Sequence, residues 1–136
     1  MIERLRLVSK TTKRILIINP NTSKPKQMED ACNNCRPRHH RPWKVHSRRP
    51  DFSSYKVFSY VDLAICTVES IKIAWQNRAN YDGIIVAGFS DVGVDAMKEL
   101  LEIPVLGIAE SLYHLGAPLG HRFSVDGHSE VDATQT

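Results

Sequence analysis

Two short stretches hold the side chains best suited to chemistry: Asn19-Pro20-Asn21-Thr22-Ser23, and Gly88-Phe89-Ser90-Asp91. Each gathers small hydroxyls, amides and backbone N–H groups directly after an apolar run and before a helical pattern. At a helix N-terminus such groups favour a carboxylate or another anion, because the first N–H groups lack partners and the helix dipole is positive there. The residues alone imply a small-anion pocket, although Asn21, Thr22 and Ser23 would serve equally well as helix caps. Gly88 and Gly93 have the glycine spacing of a phosphate loop, but Val94 and Asp95 stand where that loop needs Lys and Ser or Thr. Nucleotide binding is excluded on that ground.

The elements that must position these residues follow from periodicity. Arg14 to Asn19 reads as a buried strand stopped by Pro20, and the apolar run inside Tyr81 to Gly93 as a second strand buried on both faces. A short polar helix is expected after Ser23, through Lys26, Met28 and Ala31, and a strand at Tyr55 to Ser59. Val61, Ala64, Ile65, Val68, Ile71 and Trp75 recur at helical spacing and predict a long helix over Tyr60 to Ala79. Further helices are expected near 93–102 and 111–119, and further strands at Pro104 to Ala109 and Arg122 to Val125. Alternation of this kind implies an α/β fold in three layers, a mostly parallel sheet of four to five strands with helices on both faces. In such sheets ligands lie beyond the carboxyl ends of the strands, so the two stretches would share one rim.

Composition bounds the rest. A chain of 136 residues with 42% hydrophobic content is sufficient for one domain with a core. No run nears the ~18 apolar residues a membrane span needs, and the N-terminus lacks a secretory pattern, so a cytoplasmic protein is expected, with residues 1–13 a basic tail. Three cysteines give no disulfide framework. The net charge of +3 is local: Arg36, Arg38, Arg41, Lys44, Arg48 and Arg49 crowd the 32–50 segment, and the remainder holds 12 basic and 15 acidic residues. Within that segment Cys32, Cys35, His40 and His46 approximate a zinc knuckle, and Trp43 with the basic residues could stack on single-stranded nucleic acid. Pro37, Pro42 and Pro50, with no hydrophobic periodicity, fit a disordered insert better, and a nucleic-acid partner is the lesser reading.

The stretch Ile-Leu-Ile-Ile-Asn-Pro-Asn-Thr-Ser (15–23), taken with Asp-Gly-Ile-Ile-Val-Ala-Gly-Phe-Ser-Asp-Val-Gly-Val-Asp-Ala-Met-Lys-Glu-Leu (82–100), resembles the Asp/Glu/hydantoin racemase superfamily, closest to its hydantoin and allantoin racemases. Ile-Pro-Val-Leu-Gly-Ile-Ala-Glu-Ser (103–111) and His-Arg-Phe-Ser-Val (121–125) extend the likeness, which frames a lobe over 14–125 and a polar tail over 126–136. The resemblance implies cofactor-independent chemistry in which two cysteines flank the substrate and exchange its α-proton as thiolate base and thiol acid. It also implies that Asn19, Asn21, Thr22, Ser23, Ser90 and Asp91 line or organise a pocket for a small carboxylate or ureido ligand. Gly88 stands at the first catalytic cysteine's position, and the second cysteine belongs to a second lobe that would follow residue 125. The expectation is a chain without racemase activity alone, needing a second racemase lobe or association into a homo-oligomer. Cys66 is expected to be a buried structural thiol, and His114 and His121 packed or surface histidines rather than replacement catalysts.

Overall fold

The computed structural model describes residues 12–22, 43–51, 57–120, 122 and 124. Four strands, β1 (Lys13–Ile18), β2 (Trp43–Arg48), β3 (Gly83–Val86) and β4 (Val105–Gly107), form one sheet in the order β2-β1-β3-β4. Every pairing is parallel, with Ile15 opposite Val45, Ile18 opposite Val86, and Val86 opposite Gly107. The expected α/β architecture is therefore present, with four strands. Helix α1 (Tyr60–Asn77) connects β2 to β3 through a short 3₁₀ turn at Arg78–Asn80. Helix α2 (Val94–Leu100) connects β3 to β4, and α3 (Ile108–Gly116) leaves β4 directly.

Alternation along the strands decides which residues form the core. Leu16, Ile18, Ile84, Val86 and Val105 are buried on one face and pack with Ala74 of α1, with Val94 and Met97 of α2, and with Leu101. Successive strand side chains point to opposite faces, so Ile15, Ile17, Ile85, Val45 and Leu106 line the other face. There they form a groove of about 520 Å³ with Lys13, Asp82 and Pro104 at its edges. Helix α1 starts where it does because Ser59 is extended and its hydroxyl accepts from the Asp62 N–H at 3.2 Å. The Asp62 carboxylate answers by accepting from the Ser59 N–H at 3.0 Å, closing a capping box.

Three expectations need correction. The strand expected at Tyr55 to Ser59 is not formed by its described residues, since 57–59 lead into the cap of α1. The edge strand is instead β2, inside the segment read as a disordered insert. An edge strand needs no continuous apolar run, and Pro50 falls just beyond the end of this one. Arg122 and Ser124 carry no strand, so the expected fifth strand is absent at those two positions. The expected polar helix after Ser23, and Ser23 itself, lie outside the described residues, as do Cys32, Cys35, His40, His121 and most of both tails.

Candidate functional site at the carboxyl rim of the sheet

The two chemistry-bearing stretches meet at the carboxyl ends of β1 and β3. Asn19 is buried, and its N–H donates to the Arg48 carbonyl at 2.9 Å, continuing the ladder to β2. Asn21 and Thr22 follow, half-buried, and the Thr22 carbonyl accepts from Arg49 Nη1 at 2.6 Å. From the other side, the Ala87 N–H donates to the Ile18 carbonyl at 2.8 Å and brings Gly88 against Pro20. A Cβ on Gly88 would lie 2.7 Å from Pro20 Cγ, so the buried proline ring fills the space a side chain would need.

Beyond Gly88 the chain turns tightly. The Asp91 N–H donates to the Gly88 carbonyl at 2.9 Å, and Asp91 itself has φ 45°, a left-handed conformation that aspartate tolerates better than most side chains. That turn aims the Asp91 carboxylate at the start of α3, where it accepts from the Ala109 N–H at 3.0 Å and the Glu110 N–H at 2.7 Å. Asp91 thus supplies the cap that Gly107, the residue in the cap position, cannot. Gly107 must be glycine here, because a Cβ on it would stand 2.2 Å from the Asp91 carboxylate. Glu110 completes the junction, accepting from the Gly107 N–H at 2.9 Å and pairing with Lys98 of α2. The Lys98 ammonium, and then the Gly107 N–H, hold the Glu110 carboxyl below its ordinary value of 4.5 against the opposing pull of burial.

The resulting cleft, about 500 Å³, is lined by Ser90, Asp91 and Asp95, by Leu63 and Thr67 of α1, and by Phe89, Glu110 and Tyr113. Ser90 and Asp91 therefore line the cleft, whereas Asn19, Asn21 and Thr22 are not among its lining residues. The Asp91 carboxylate organises this cleft and is already committed to two backbone donors. Sequence reasoning passed over Thr67, Glu110 and Tyr113. A helix that begins with no loop after β4 has to set its first turns on the rim, and that was the available signal. The Tyr113 ring meets Phe89 edge to face at 6.4 Å.

The other candidates lie elsewhere. Cys66 is fully buried in α1, as expected of a structural thiol. His114 is exposed in the last turn of α3, and His46 lies on β2 with its ring edge-on to Tyr81 at 5.6 Å. Among the described residues no group of three or more His, Cys, Asp or Glu side chains is placed to hold a metal, and no helix is long and apolar enough to cross a membrane.

A parallel sheet with its cleft beyond the strand ends is an α/β arrangement of the doubly wound kind. The Asp/Glu/hydantoin racemase model matches residues 15–133, and the chain belongs to that family. It is 30% identical over 116 residues to a hydantoin racemase of Paenarthrobacter aurescens, covering 82% of this chain and 48% of that protein. A hydantoin racemase of Pseudomonas sp. (strain NS671) is likewise 30% identical, over 117 residues, with 82% and 45% covered. Among solved structures, the allantoin racemase of Klebsiella pneumoniae matches with a TM-score of 0.69 at 28% identity, over 78% of this chain and 43% of that one. The allantoin racemase of Pseudomonas fluorescens shares the fold with a TM-score of 0.75 at 21% identity, over 90% and 53%. The chain spans about half the length of the curated relatives it matches.

Proposed function

We propose that this chain is a ligand-binding lobe of the racemase family, holding a small ureido or carboxylate ligand at the carboxyl rim and moving no proton at carbon by itself. Gly88 carries the reading. By resemblance it occupies the position of the family's first catalytic thiol, and it offers no titratable atom. Pro20 Cγ, 2.7 Å from where a Cβ would begin, leaves that position without room for one. By the same resemblance the second thiol would come from a second lobe, and turnover needs both thiols. Loss of a general acid or base costs typically 10²–10⁴ in rate.

Between the two ligand chemistries, the cleft's own charge favours the ureido group. Asp91, Asp95 and Glu110 line it, and a further carboxylate entering among them would meet like charge, whereas ureido N–H groups would meet acceptors. The Ser90 hydroxyl can serve either as donor or acceptor.

The test is to assay racemisation of hydantoins, allantoin, aspartate and glutamate with the chain as it stands and with Gly88→Cys, each alone and with a complementary second lobe. The unaltered chain should be silent in every assay, and amide shifts at Ser90 and Asp91 should respond to allantoin more than to aspartate. Racemisation by the unaltered chain alone would overturn the proposal.

A further inference from the structure

Strand β2 ends the sheet on one side and has β1 as its sole strand neighbour among the described residues, so its other edge offers unpaired backbone groups. Successive strand residues point to opposite faces, which puts Lys44, His46 and Arg48 on the face shared with Arg14, Leu16 and Ile18, their partners in register. Arg14, Lys44, His46 and Arg48 are all exposed. Lys44 stands directly opposite Arg14, an arrangement of like charges that weakens a sheet. The Asp82 carboxylate, just before β3, is engaged by the Lys13 ammonium at 3.1 Å and the Arg14 backbone N–H at 2.8 Å. Among the described residues no ion pair reaches Lys44 or Arg48. Blunting an edge against aggregation takes a charge or two on the edge strand, and does not account for Arg14 set against Lys44 on the next one.

The opposite face of β2 has another character. There Val45 continues the apolar surface of Ile15 and Ile17 that lines the groove. A strand laid along the free edge would therefore meet cations on one face and aliphatic side chains on the other. Its own side chains alternate with the same period of two, so the complementary sequence alternates carboxylates with aliphatic residues. A second copy of β2 does not fit, since it would set cation on cation.

We propose that the free edge of β2 takes up an extended acidic peptide as a further strand, its carboxylates facing Lys44, His46 and Arg48 and its aliphatic residues continuing the Val45 face. Strand addition supplies affinity through backbone hydrogen bonds, and the alternating pattern supplies the choice of partner. The surface is separate from the rim cleft, to whose lining β2 contributes no residue.

The test is to titrate the full chain with a peptide alternating Glu and Val while following amide shifts. Those of residues 44–48 should respond, and those of Ser90 and Asp91 should not. A peptide of the same composition with its Glu and Val residues in separate blocks should bind at least about fivefold more weakly. Raising salt from about 0.05 to about 0.5 M should weaken the alternating peptide. Lys44→Glu combined with Arg48→Glu, both at exposed positions, should keep the circular dichroism of the parent and transfer the preference to a peptide alternating Lys and Val. That exchange of preference separates a changed contact from a lost strand. No binding of the alternating peptide, equal binding of the blocked one, or a single-stranded oligonucleotide that binds β2 more tightly than either would each overturn the proposal. So would a doubly substituted chain that keeps the parent's preference.

Discussion

A methyl group at residue 107 would sit 2.2 Å from the Asp91 carboxylate, so Gly107→Ala has to push that carboxylate off the two N–H groups it caps. Losing a cap costs typically ~1 kcal/mol, and Asp91→Ala should lower the unfolding free energy by about that much in urea titrations. Gly107→Ala should cost at least as much in the parent and far less in the Asp91→Ala background, where nothing remains to be displaced. Equal costs in the two backgrounds would separate the residues energetically and refute the shared cap. Gly88→Cys faces a similar conflict with the Pro20 ring and should destabilise by roughly 1–3 kcal/mol, whether or not it restores chemistry. Asp91 was legible in the sequence as a rim residue, but its engagement was not. Its partners, Ala109 and Glu110, are 18 and 19 residues away, and no local pattern announces a cap supplied from that distance.

Among the elements, α1 and the β3 strand were legible because each has its own period, 3.6 over eighteen residues and an unbroken apolar run over four. Strand β2 was not, since its one aliphatic residue, Val45, sits among Lys44, His46, Ser47 and Arg48, and a sheet edge tolerates such a composition. Helix α1 also buries Ser70, whose hydroxyl has no hydrogen-bond partner among the described residues. Ser70→Ala removes an unsatisfied polar group at little change in volume and should raise the thermal midpoint, by an amount equivalent to about 1 kcal/mol. The tie between α2 and α3 predicts a pH response. Glu110 has its folded pKa lowered, chiefly by Lys98, so the stability it contributes is present above the unfolded value of about 4.5 and is lost as pH falls through the folded value. Glu110→Gln should flatten that acid limb of the stability profile, while lowering stability at neutral pH by under about 1 kcal/mol, as expected of a largely solvent-screened pair. Asp82 adds in the same direction, its carboxyl held low by the Arg14 N–H and by Lys13.

At the scale of the whole molecule, the parallel α/β architecture followed from alternation of strands and helices, and family membership from motifs at both strand ends. What the sequence could not convey was how tightly the two stretches approach. The Pro20–Gly88 contact is a steric fact between residues 68 positions apart.

The carboxylate that reaches from the β3–α2 turn to the first turn of α3 also couples two segments in time. Helix α3 has nine residues, too few to persist unaided in water, so it should form only once the turn at Asp91 has closed. Deuterium should then enter the Ala109 and Glu110 amides at one common rate, and Asp91→Ala should speed both together while leaving the middle of α1 unaltered.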